Sequence, residues 1–232
     1  MLHIDVPSGQ TLAWYLNEEI RRAQDVQQES FFCWTVAPTV IYGRHQSREA
    51  EVNEAYCRDN GIAIVQRKSG GGCVYADQGN LMISLISPDT HSEAVFARFL
   101  QTVADVLRKL GLPAVTTAHN DILVDGRKVS GNACYALPNA TIVHGTLLYD
   151  VNLDALEKAI TPSAAKLSKH AVQSVRQRVM NIRPLIPHIP DINALQDFFT
   201  GQLSTINCPT ALADRSRLAE IRTVNCQLST VN

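Results

Sequence analysis

Hydrophobic residues recur at intervals of three or four positions between residues 90 and 110, which is the spacing of one face of an α-helix. The recurring positions are Phe96, Phe99, Leu100, Val103, Val106, Leu107 and Leu110. Thr90 and Glu93 fit a capping box before them, and Gly111 follows the last one. The pattern therefore predicts a helix over 90–110. Further helices are predicted over Leu12–Ala23, in a polar segment near 49–60, and after Asn152 and Asp191.

Short apolar runs rich in β-branched and aromatic residues separate the predicted helices, and such runs are typical of strands. The runs cover 31–36, 39–43, 61–66, 73–76, 81–87, 121–124, 127–130 and 141–150. Asp125–Gly126, between two of them, suits a two-residue hairpin turn. The strands come in hairpin-like groups separated by helices, not in a regular strand–helix alternation. The sequence therefore predicts an α+β fold with a mixed, largely antiparallel sheet.

The charges of the 232-residue chain nearly cancel, since 21 Lys and Arg face 22 Asp and Glu, for a formal net charge of −1. Such a balance provides no general attraction to nucleic acid or to an anionic membrane. No run of about 18 apolar residues predicts a membrane-spanning helix, and the N-terminus does not resemble a secretory signal. The 6 cysteines form no CxxC pair. We expect a cytoplasmic protein with reduced thiols and no zinc, and with neither nucleic acid nor membrane as a partner.

The first candidate for chemistry is the glycine cluster S-G-G-G at 69–72, between two predicted strands. Consecutive glycines allow a close backbone approach or a positive φ angle, and their free N–H groups can form an anion-binding nest. Arg67 and Lys68 place cations beside the cluster. The pattern matches neither the P-loop nor the dinucleotide-binding motif. A structural turn and a phosphate or carboxylate site therefore both remain open.

Two further features combine polar residues with predicted strands. Asn120 and Asp121 stand at one end of the predicted hairpin and Lys128 on its other strand, so we expect them to lie close together. They can hold a metal–phosphate group or form a plain cross-strand ion pair. His144 lies inside an apolar strand and is followed by a glycine, which often marks a bulge or a closely approached ligand. A satisfied core histidine is the structural alternative there.

These features occur together in one known family. The lipoate–protein ligases have a signature R-x-S-G-G-G-x-V-x-x-D-x-G-N-L, which residues 67–81 resemble. Residues 119–133 look like the family's N-D-hairpin-K-[IV]-S-G-[SN]-A element, and residues 143–148 resemble its H-G-T-L-L strand. Three more segments resemble family segments, and all occur in family order: 17–19, 38–46 and 166–182. The chain is therefore identified as a member of the lipoate–protein ligase family.

The resemblance implies a sheet flanked by helices, with a catalytic-domain core over 1–185 and a C-terminal helix and tail of the same domain over 186–232. It implies that lipoate and Mg-ATP form lipoyl-AMP, which a carrier lysine then attacks. Lys128 would be the catalytic residue, in contact with the phosphate and the acyl carbonyl oxygen, and Asp121 would sit at Mg²⁺. The adenylate and acyl pocket is assigned to Leu16, Arg67, Ser69, Gly70, Gly71, Gly72, Val74, Tyr75, Asn80, Asn120, Asp121, Ser130, Gly131, His144, Gly145 and Thr146.

The resemblance also implies the acceptors of the acyl group, which are lipoyl domains of 2-oxoacid dehydrogenases or the glycine-cleavage H protein. Well-known members of the family carry a further small C-terminal domain, for which the given chain has no room. We therefore expect either a separate accessory-domain protein or a chain that only transfers an acyl group that is already activated or already attached to a protein. Octanoate and lipoate share a chain length, so the acyl preference stays open.

The alternative function is an octanoyl or lipoyl transferase that works through a cysteine thioester. Related octanoyltransferases have a cysteine where this chain has Thr141. Cys73 and Cys134 lie within the motif regions and are the alternative nucleophiles, because Lys128 can lower the pKa of a nearby thiol. A biotin ligase is disfavoured because G-R-G-R-x-G-R is absent from the glycine cluster. A degenerate binding protein is disfavoured by the retained charged residues.

Overall fold

The computed structural model describes residues 1–118, 120–160 and 178–206, so most of the 166–182 segment lies outside the described residues. The helices within the described ranges are α1 (Leu12–Gln24), α2 (Arg48–Glu51), α3 (Glu54–Asp59), α4 (Ser92–Lys109), α5 (Leu153–Ala159) and α6 (Ile192–Ser204), with one 3₁₀ turn at Arg183–Leu185. Within those ranges, no helix has both the length and the apolar character that a bilayer crossing requires.

The helix predicted over 90–110 is present as α4, but its predicted capping box is wrong. The helix starts at Ser92, and its cap position is His91, whose side chain makes no capping hydrogen bond. The caps predicted at the other two helices are confirmed. Asn152 accepts a hydrogen bond from Ala155 N–H, and Asp191 accepts one from Ala194 N–H, so each satisfies one of the free donors in a first helical turn.

The strands within the described ranges are β1 (Leu2–His3), β2 (Ser30–Trp34), β3 (Thr39–Tyr42), β4 (Ala63–Gln66), β5 (Val74–Ala76), β6 (Asn80–Ser87), β7 (Ala114–Thr116), β8 (Asp121–Val124), β9 (Arg127–Leu137) and β10 (Ala140–Leu148). A 7-stranded sheet has the order β1-β2-β6-β10-β9-β8-β7, and a 3-stranded sheet has the order β4-β3-β5. Only the pairs β1–β2 and β3–β4 among these strands are parallel. The predicted α+β fold with a mixed, largely antiparallel sheet is confirmed.

The large sheet is covered on both faces, and successive residues of its strands face opposite ways. In β2, Phe31 and Cys33 belong to the hydrophobic core beneath α4 and α6, whereas Phe32 and Trp34 belong to the core beneath α1 and the small sheet. This two-sided burial explains why the β2 sequence is apolar at successive positions instead of alternating. The large sheet is therefore the middle layer of the molecule.

Helix α6 is integrated into the larger of these cores. Its residues Leu195, Phe199 and Leu203 are buried in the same hydrophobic cluster as α4. Burial of three large apolar side chains ties the helix to the sheet rather than to a separate unit. This contact supports our proposal for the described part of the segment after residue 185, namely that it belongs to the same domain as the core.

The predicted Asp125–Gly126 hairpin is confirmed, and it contains an irregularity that the pattern does not predict. Asp125 and Gly126 have φ angles of 49° and 74°, as a primed two-residue turn requires. Ile122 pairs with Ser130, but the next residue of β8 pairs with Lys128. Val129 is thus an extra residue in β9, and the register shift is a β-bulge.

Candidate active site

Residues 67–73, between β4 and β5, contain the glycine cluster and are called the glycine loop. A cavity of about 230 Å³ lies between α1, this glycine loop, the β8–β9 hairpin and β10. Part of its lining is apolar and comes from Leu12, Leu16, Trp34, Ile41, Val74 and Met82. Polar side chains in the wall come from Arg67, Cys73, Asn120, Asp121, Lys128, Asn132, His144 and Thr146, and the small residues Gly71, Gly72, Gly131, Ala133 and Gly145 complete it. A cavity with apolar walls and a few converging polar groups is the usual form of a small-molecule site.

The structure brings together residues of three motifs that are far apart in the sequence. Predicted site residues in the cavity wall are Leu16, Arg67, Gly71, Gly72, Cys73, Val74, Asn120, Asp121, Lys128, Gly131, His144, Gly145 and Thr146. Six other predicted residues lie outside the wall: Ser69, Gly70, Tyr75, Asn80, Ser130 and Cys134. The cavity is therefore where the glycine loop, the hairpin and the histidine strand meet.

Lys128 and Asp121 form an ion pair at the cavity, with 2.7 Å between Lys128 Nζ and Asp121 Oδ1. Both side chains are about one-third exposed. In a regular strand Lys128 would face away from Gly131, but the extra residue Val129 turns it to the side of Gly131 and its partner Asp121. The bulge thus places the ammonium group over the cavity.

The absence of a side chain at Gly131 leaves the space that the Lys128 side chain occupies. A Cβ at Gly131 would lie 2.9 Å from Lys128 Nζ, which is closer than a real Cβ contact. The Thr146 hydroxyl holds Gly131 in place, because it accepts a hydrogen bond from Gly131 N–H and donates one to Gly131 O, each at 3.2 Å. Gly131 and Thr146 therefore determine the space in which the Lys128 side chain lies.

Arg67 organises the glycine loop through its own hydrogen bonds. Its guanidinium donates to Ile41 O at 3.1 Å, to Gly70 O at 2.7 Å and to Gly72 O at 2.7 Å. The side chain is buried, and burial lowers the pKa of the guanidinium from its ordinary value. The carbonyl dipoles of the loop compensate the buried charge. Most donors of Arg67 are thereby engaged within the protein, and its predicted contact with a phosphate stays a prediction.

The same hydrogen bonds orient the N–H groups of the loop. The C=O and N–H of a trans peptide point in opposite directions, so the N–H groups of Gly71 and Cys73 point away from Arg67. Gly71 has a φ angle of 92°, and a Cβ at Gly43 would collide with Gly71 O, so both positions require glycine. The loop thus offers backbone donors of the kind that bind anions.

His144 is a buried residue with hydrogen bonds on both ring nitrogens. Nε2 lies 2.7 Å from Ser69 Oγ, and Nδ1 lies 3.2 Å from both carboxylate oxygens of Glu19. Ser69 Oγ also accepts a hydrogen bond from Arg67 Nε at 3.1 Å. His144 is therefore a satisfied core histidine and a cavity residue at the same time, which unites the two interpretations that the sequence left open.

Glu19 had no predicted role, although it is completely buried. Its position in the sequence carries a signal, because Leu12, Tyr15, Glu19 and Ala23 are all buried on one face of α1. A carboxylate on the apolar face of an amphipathic helix needs hydrogen-bond donors in the core. The Ser84 hydroxyl supplies one at 2.7 Å, and His144 Nδ1 supplies another.

Residues 11–204 match the family model described as "Lipoyl protein ligase A/B catalytic domain". The chain belongs to this family. It is 39% identical over 159 residues to the lipoate-protein ligase LplJ of Bacillus subtilis, an alignment that covers 68% of this chain and 48% of that protein. The chain spans about half the length of the curated relatives it matches first.

Solved structures of similar proteins share the fold. A bi-partite lipoate protein ligase from Thermoplasma acidophilum, from a structural analysis of an archaeal lipoylation system, superposes with a TM-score of 0.72 at 26% identity, covering 95% of this chain and 89% of that one. A lipoate-protein ligase A bound with ATP superposes with a TM-score of 0.74 at 23% identity, covering 88% and 83%. The second likeness shows the fold alone.

Part of the lipoyl ligase signature serves the fold of this chain. The Asp77 carboxylate accepts hydrogen bonds from Gly79 N–H at 2.9 Å and from Asn152 N–H at 3.0 Å, and so joins two loops. Asn80 is buried, and its amide donates to Met82 Sδ at 3.0 Å. Tyr75 is buried in a separate cluster with α3 and α5. Contacts of Asn80 and Tyr75 with a substrate stay predictions, and the structure places both outside the cavity wall.

The cysteines differ in their relation to the cavity. Within the described part of the chain, Cys33, Cys57, Cys73 and Cys134 are in no disulfide bond. Cys73 lines the cavity, whereas Cys134 lies outside its wall. Burial raises the pKa of the Cys134 thiol, which is the opposite of the activation expected from a neighbouring lysine. Thr141, at the position of the octanoyltransferase cysteine, is completely buried.

Proposed function

We propose that the chain activates lipoate, or octanoate, with ATP and transfers the acyl group to a specific lysine of a lipoyl carrier protein. One observation carries the proposal: a single cavity is lined by apolar side chains, by Lys128 and by residues of the glycine loop. These elements match a fatty acyl chain, a carboxyl group undergoing activation and a phosphate. Membership of the lipoyl protein ligase family supports the same chemistry.

The apolar wall would contain the acyl chain. Leu12 and Leu16 of α1 line the cavity together with Trp34, Ile41, Val74 and Met82. Each methylene group that leaves water contributes about 0.8 kcal/mol to binding. An eight-carbon chain therefore supplies much of the affinity itself. The polar groups are left to position the carboxyl group.

Lys128 would stabilise the charge that develops in both half-reactions. In the first, a lipoate carboxylate oxygen attacks the α-phosphorus of ATP and pyrophosphate leaves. In the second, the carrier lysine's amine attacks the acyl carbonyl carbon, AMP leaves, and an amide forms with loss of one proton. Negative charge builds on the α-phosphate and then on the carbonyl oxygen, and a fixed ammonium group stabilises charge where it develops.

The residues at the cavity fit a Mg²⁺ ion that arrives with ATP. Asp121 is the one carboxylate in the cavity wall within the described ranges. Those ranges contain no group of three or more His, Cys, Asp or Glu residues that could hold a metal. Mg²⁺ typically binds one or two carboxylates together with phosphate oxygens and waters. Asp121 would hold the ion, which would supply charge neutralisation at the phosphates, and Lys128 would then lose its present partner.

The proposed acceptor of the acyl group and the proposed accessory protein are supported by similar proteins. The Thermoplasma ligase is bi-partite and was analysed with its E2 lipoyl domain. This supports lipoyl domains as acceptors and a separate small accessory protein as a partner of the present chain. The glycine-cleavage H protein is a second proposed acceptor, since it also presents one lysine for acylation. A cytoplasmic location belongs to the same proposal.

The decisive experiment combines two assays of the purified chain. With lipoate and Mg²⁺, we expect lipoate-dependent exchange of pyrophosphate into ATP, followed by a mass increase of one lipoyl group on an isolated lipoyl domain. Transfer from synthetic lipoyl-AMP without any exchange would identify a transferase, or a ligase that awaits its accessory partner. Neither activity, with or without the accessory protein, would refute the proposed function.

Gly131→Ala is expected to slow pyrophosphate exchange by about 10²-fold, because misplacing a catalytic group by about 1 Å can cost that much. The new Cβ would lie 2.9 Å from Lys128 Nζ, and the flexible lysine would move rather than the backbone. The free energy of unfolding in urea is therefore expected to stay nearly unchanged. A variant that loses stability but keeps its exchange rate would contradict this assignment.

Replacing Cys73 and Cys134 together by alanine is expected to change carrier lipoylation by less than about tenfold, or about 1.4 kcal/mol in barrier height. The ligase mechanism has no acyl-thioester, so neither thiol is required. Mass spectrometry of the carrier measures the rate, and unmodified chain is the reference. A loss of more than about 10³-fold, as expected for an essential nucleophile, would favour the thioester transferase.

A further inference from the structure

A hydrogen-bonded chain of buried polar side chains connects α1 to the glycine loop along one face of the large sheet. Trp34 Nε1 donates to Ser84 Oγ at 2.9 Å, and Ser84 Oγ donates to Glu19 Oε1 at 2.7 Å. His144 links the Glu19 carboxylate to Ser69 Oγ, which in turn accepts from Arg67 Nε. His144 and Ser84 are direct cross-strand partners in β10 and β6, so the sheet register brings the chain together.

Each hydrogen atom in this hydrogen-bonded chain can be assigned to one donor and one acceptor. Trp34 and Arg67 can only donate, and an ionised carboxylate can only accept. Ser69 Oγ accepts from Arg67, so its own hydrogen is free to go to His144 Nε2. His144 Nδ1 must then carry the ring proton and donate it to Glu19. A doubly protonated imidazole would leave the Ser69 hydrogen without an acceptor, so hydrogen-bond accounting assigns the neutral Nδ1–H tautomer.

We propose that Glu19 is a positioning residue of the reaction, which acts through His144 and Ser69 on the glycine loop. Its carboxylate selects the ring tautomer of His144, and the tautomer orients the Ser69 hydroxyl. Ser69 then anchors Arg67, whose guanidinium holds Gly70 O and Gly72 O. At the other end of the hydrogen-bonded chain, these contacts determine the direction in which the N–H groups of the glycine loop point. That these N–H groups donate hydrogen bonds to a bound anion rests on the proposed function.

The serine, histidine and glutamate have the connectivity of a nucleophile, a base and an orienting acid. Two observations assign them a positioning role instead. Ser69 is completely buried and lies outside the cavity wall, so a substrate carbonyl has no access to its hydroxyl. Its oxygen also accepts the Arg67 hydrogen bond, which makes it a poorer nucleophile. A triad needs an exposed nucleophile in contact with the reacting atom.

The first test reads the His144 tautomer directly. In Glu19→Gln, the Ser84 donor keeps the amide oxygen at the Oε1 position, so the amide nitrogen faces His144 Nδ1. A donor there disfavours a proton on Nδ1 and so favours the tautomer that carries its proton on Nε2. Nitrogen NMR of histidine-labelled protein, with the signal assigned by its absence in His144→Gln, is expected to show unprotonated Nε2 in the wild type and unprotonated Nδ1 in Glu19→Gln.

The second test measures the effect on the loop with a non-hydrolysable sulfamoyl analogue of lipoyl-AMP. Calorimetry is expected to show binding weakened by about 10- to 100-fold in Glu19→Gln, by analogy with the loss of residues that orient metal ligands. Glu18→Gln is the matched control. Glu18 is the neighbouring glutamate on α1, and it pairs with Arg21 and Arg22 instead of His144. It is expected to bind as the wild type does.

Ser69→Ala provides a second variant if Glu19→Gln does not fold. It leaves the Glu19–His144 contact in place, so the wild-type tautomer is expected with the same loss of binding. The double variant is expected to bind no more weakly than either single one, because both interrupt one chain. An unchanged tautomer in Glu19→Gln, or a reversed tautomer with unchanged binding, overturns the proposal. A wild-type protein that does not bind the analogue refutes the proposed function instead, and the NMR result still stands.

Discussion

Replacement of Lys128 by alanine is expected to reduce lipoate-dependent pyrophosphate exchange by about 10²–10³-fold, comparable to the loss of an oxyanion donor. The ammonium group lies at the cavity beside Asp121, and the β-bulge at Val129 directs it there. Because the charge it would stabilise exists only during the reaction, the loss should appear in kcat more than in the KM for lipoate. Steady-state exchange rates at several lipoate concentrations separate the two quantities.

The matched control is Lys109→Ala, which removes a lysine at the end of α4 that bonds to Gln202 on the surface. Its exchange rate is expected to equal that of the wild type. Lys128→Ala should also fold normally, since the ion pair with Asp121, whose side chains are about one-third exposed, contributes about 0–1 kcal/mol. If Lys128→Ala exchanged pyrophosphate within a few-fold of the wild type, Lys128 would not be the charge-stabilising residue.

Gly79→Ala is expected to lower the free energy of unfolding by about 1–3 kcal/mol, the range of an overpacked core. A Cβ at this position would collide with the carbonyl group of Asp150 and lie 2.8 Å from Val151 N. These atoms belong to the backbone, so no side-chain rotation can relieve the contact. The loop cannot shift freely either, because the Asp77 carboxylate ties Gly79 to Asn152.

Urea unfolding of Gly79→Ala should be compared with Gly201→Ala, which makes the same chemical change in an open environment. Gly201 lies in α6, and a Cβ there meets no atom within 4 Å. Alanine is favoured over glycine inside a helix, so this variant is expected to gain about 0.5–1 kcal/mol. Two variants with the same change and opposite effects would establish close packing at Gly79. Equal effects would contradict it.

Several parts of the molecule could be predicted from residue patterns because their causes are local. The helical period of residues 90–110 produced α4, and Asp125–Gly126 produced the hairpin turn. Asn152 and Asp191 capped the helices that follow them. The Thr90–Glu93 capping box was wrong because a cap depends on where the backbone enters the helix, and α4 starts after His91. The spacing of two residues does not determine that entry.

The candidate site was predicted in part. The motifs identified Lys128, Asp121 and the glycine loop, and the structure brings these residues to one cavity. Ser69 and Asn80, which belong to the same motif, lie outside its wall. A motif records which residues recur together, whether they touch a ligand or hold the backbone. Asp77 and Gly79 illustrate the second case, since they join two loops of the fold.

The sequence by itself determined most of the helices and strands, the fold class and the family of this protein, because hydrophobic period, turn chemistry and motif order can all be read along the chain. The short strands β1 and β7 and the second half of β9 were not predicted. Only the tertiary structure decided where Lys128 points, since one extra residue in β9 reverses the face of every side chain beyond it. Only the tertiary structure joined Glu19 to His144, which are 125 positions apart. Such contacts depend on strand order and register, and these are settled by packing all elements at once.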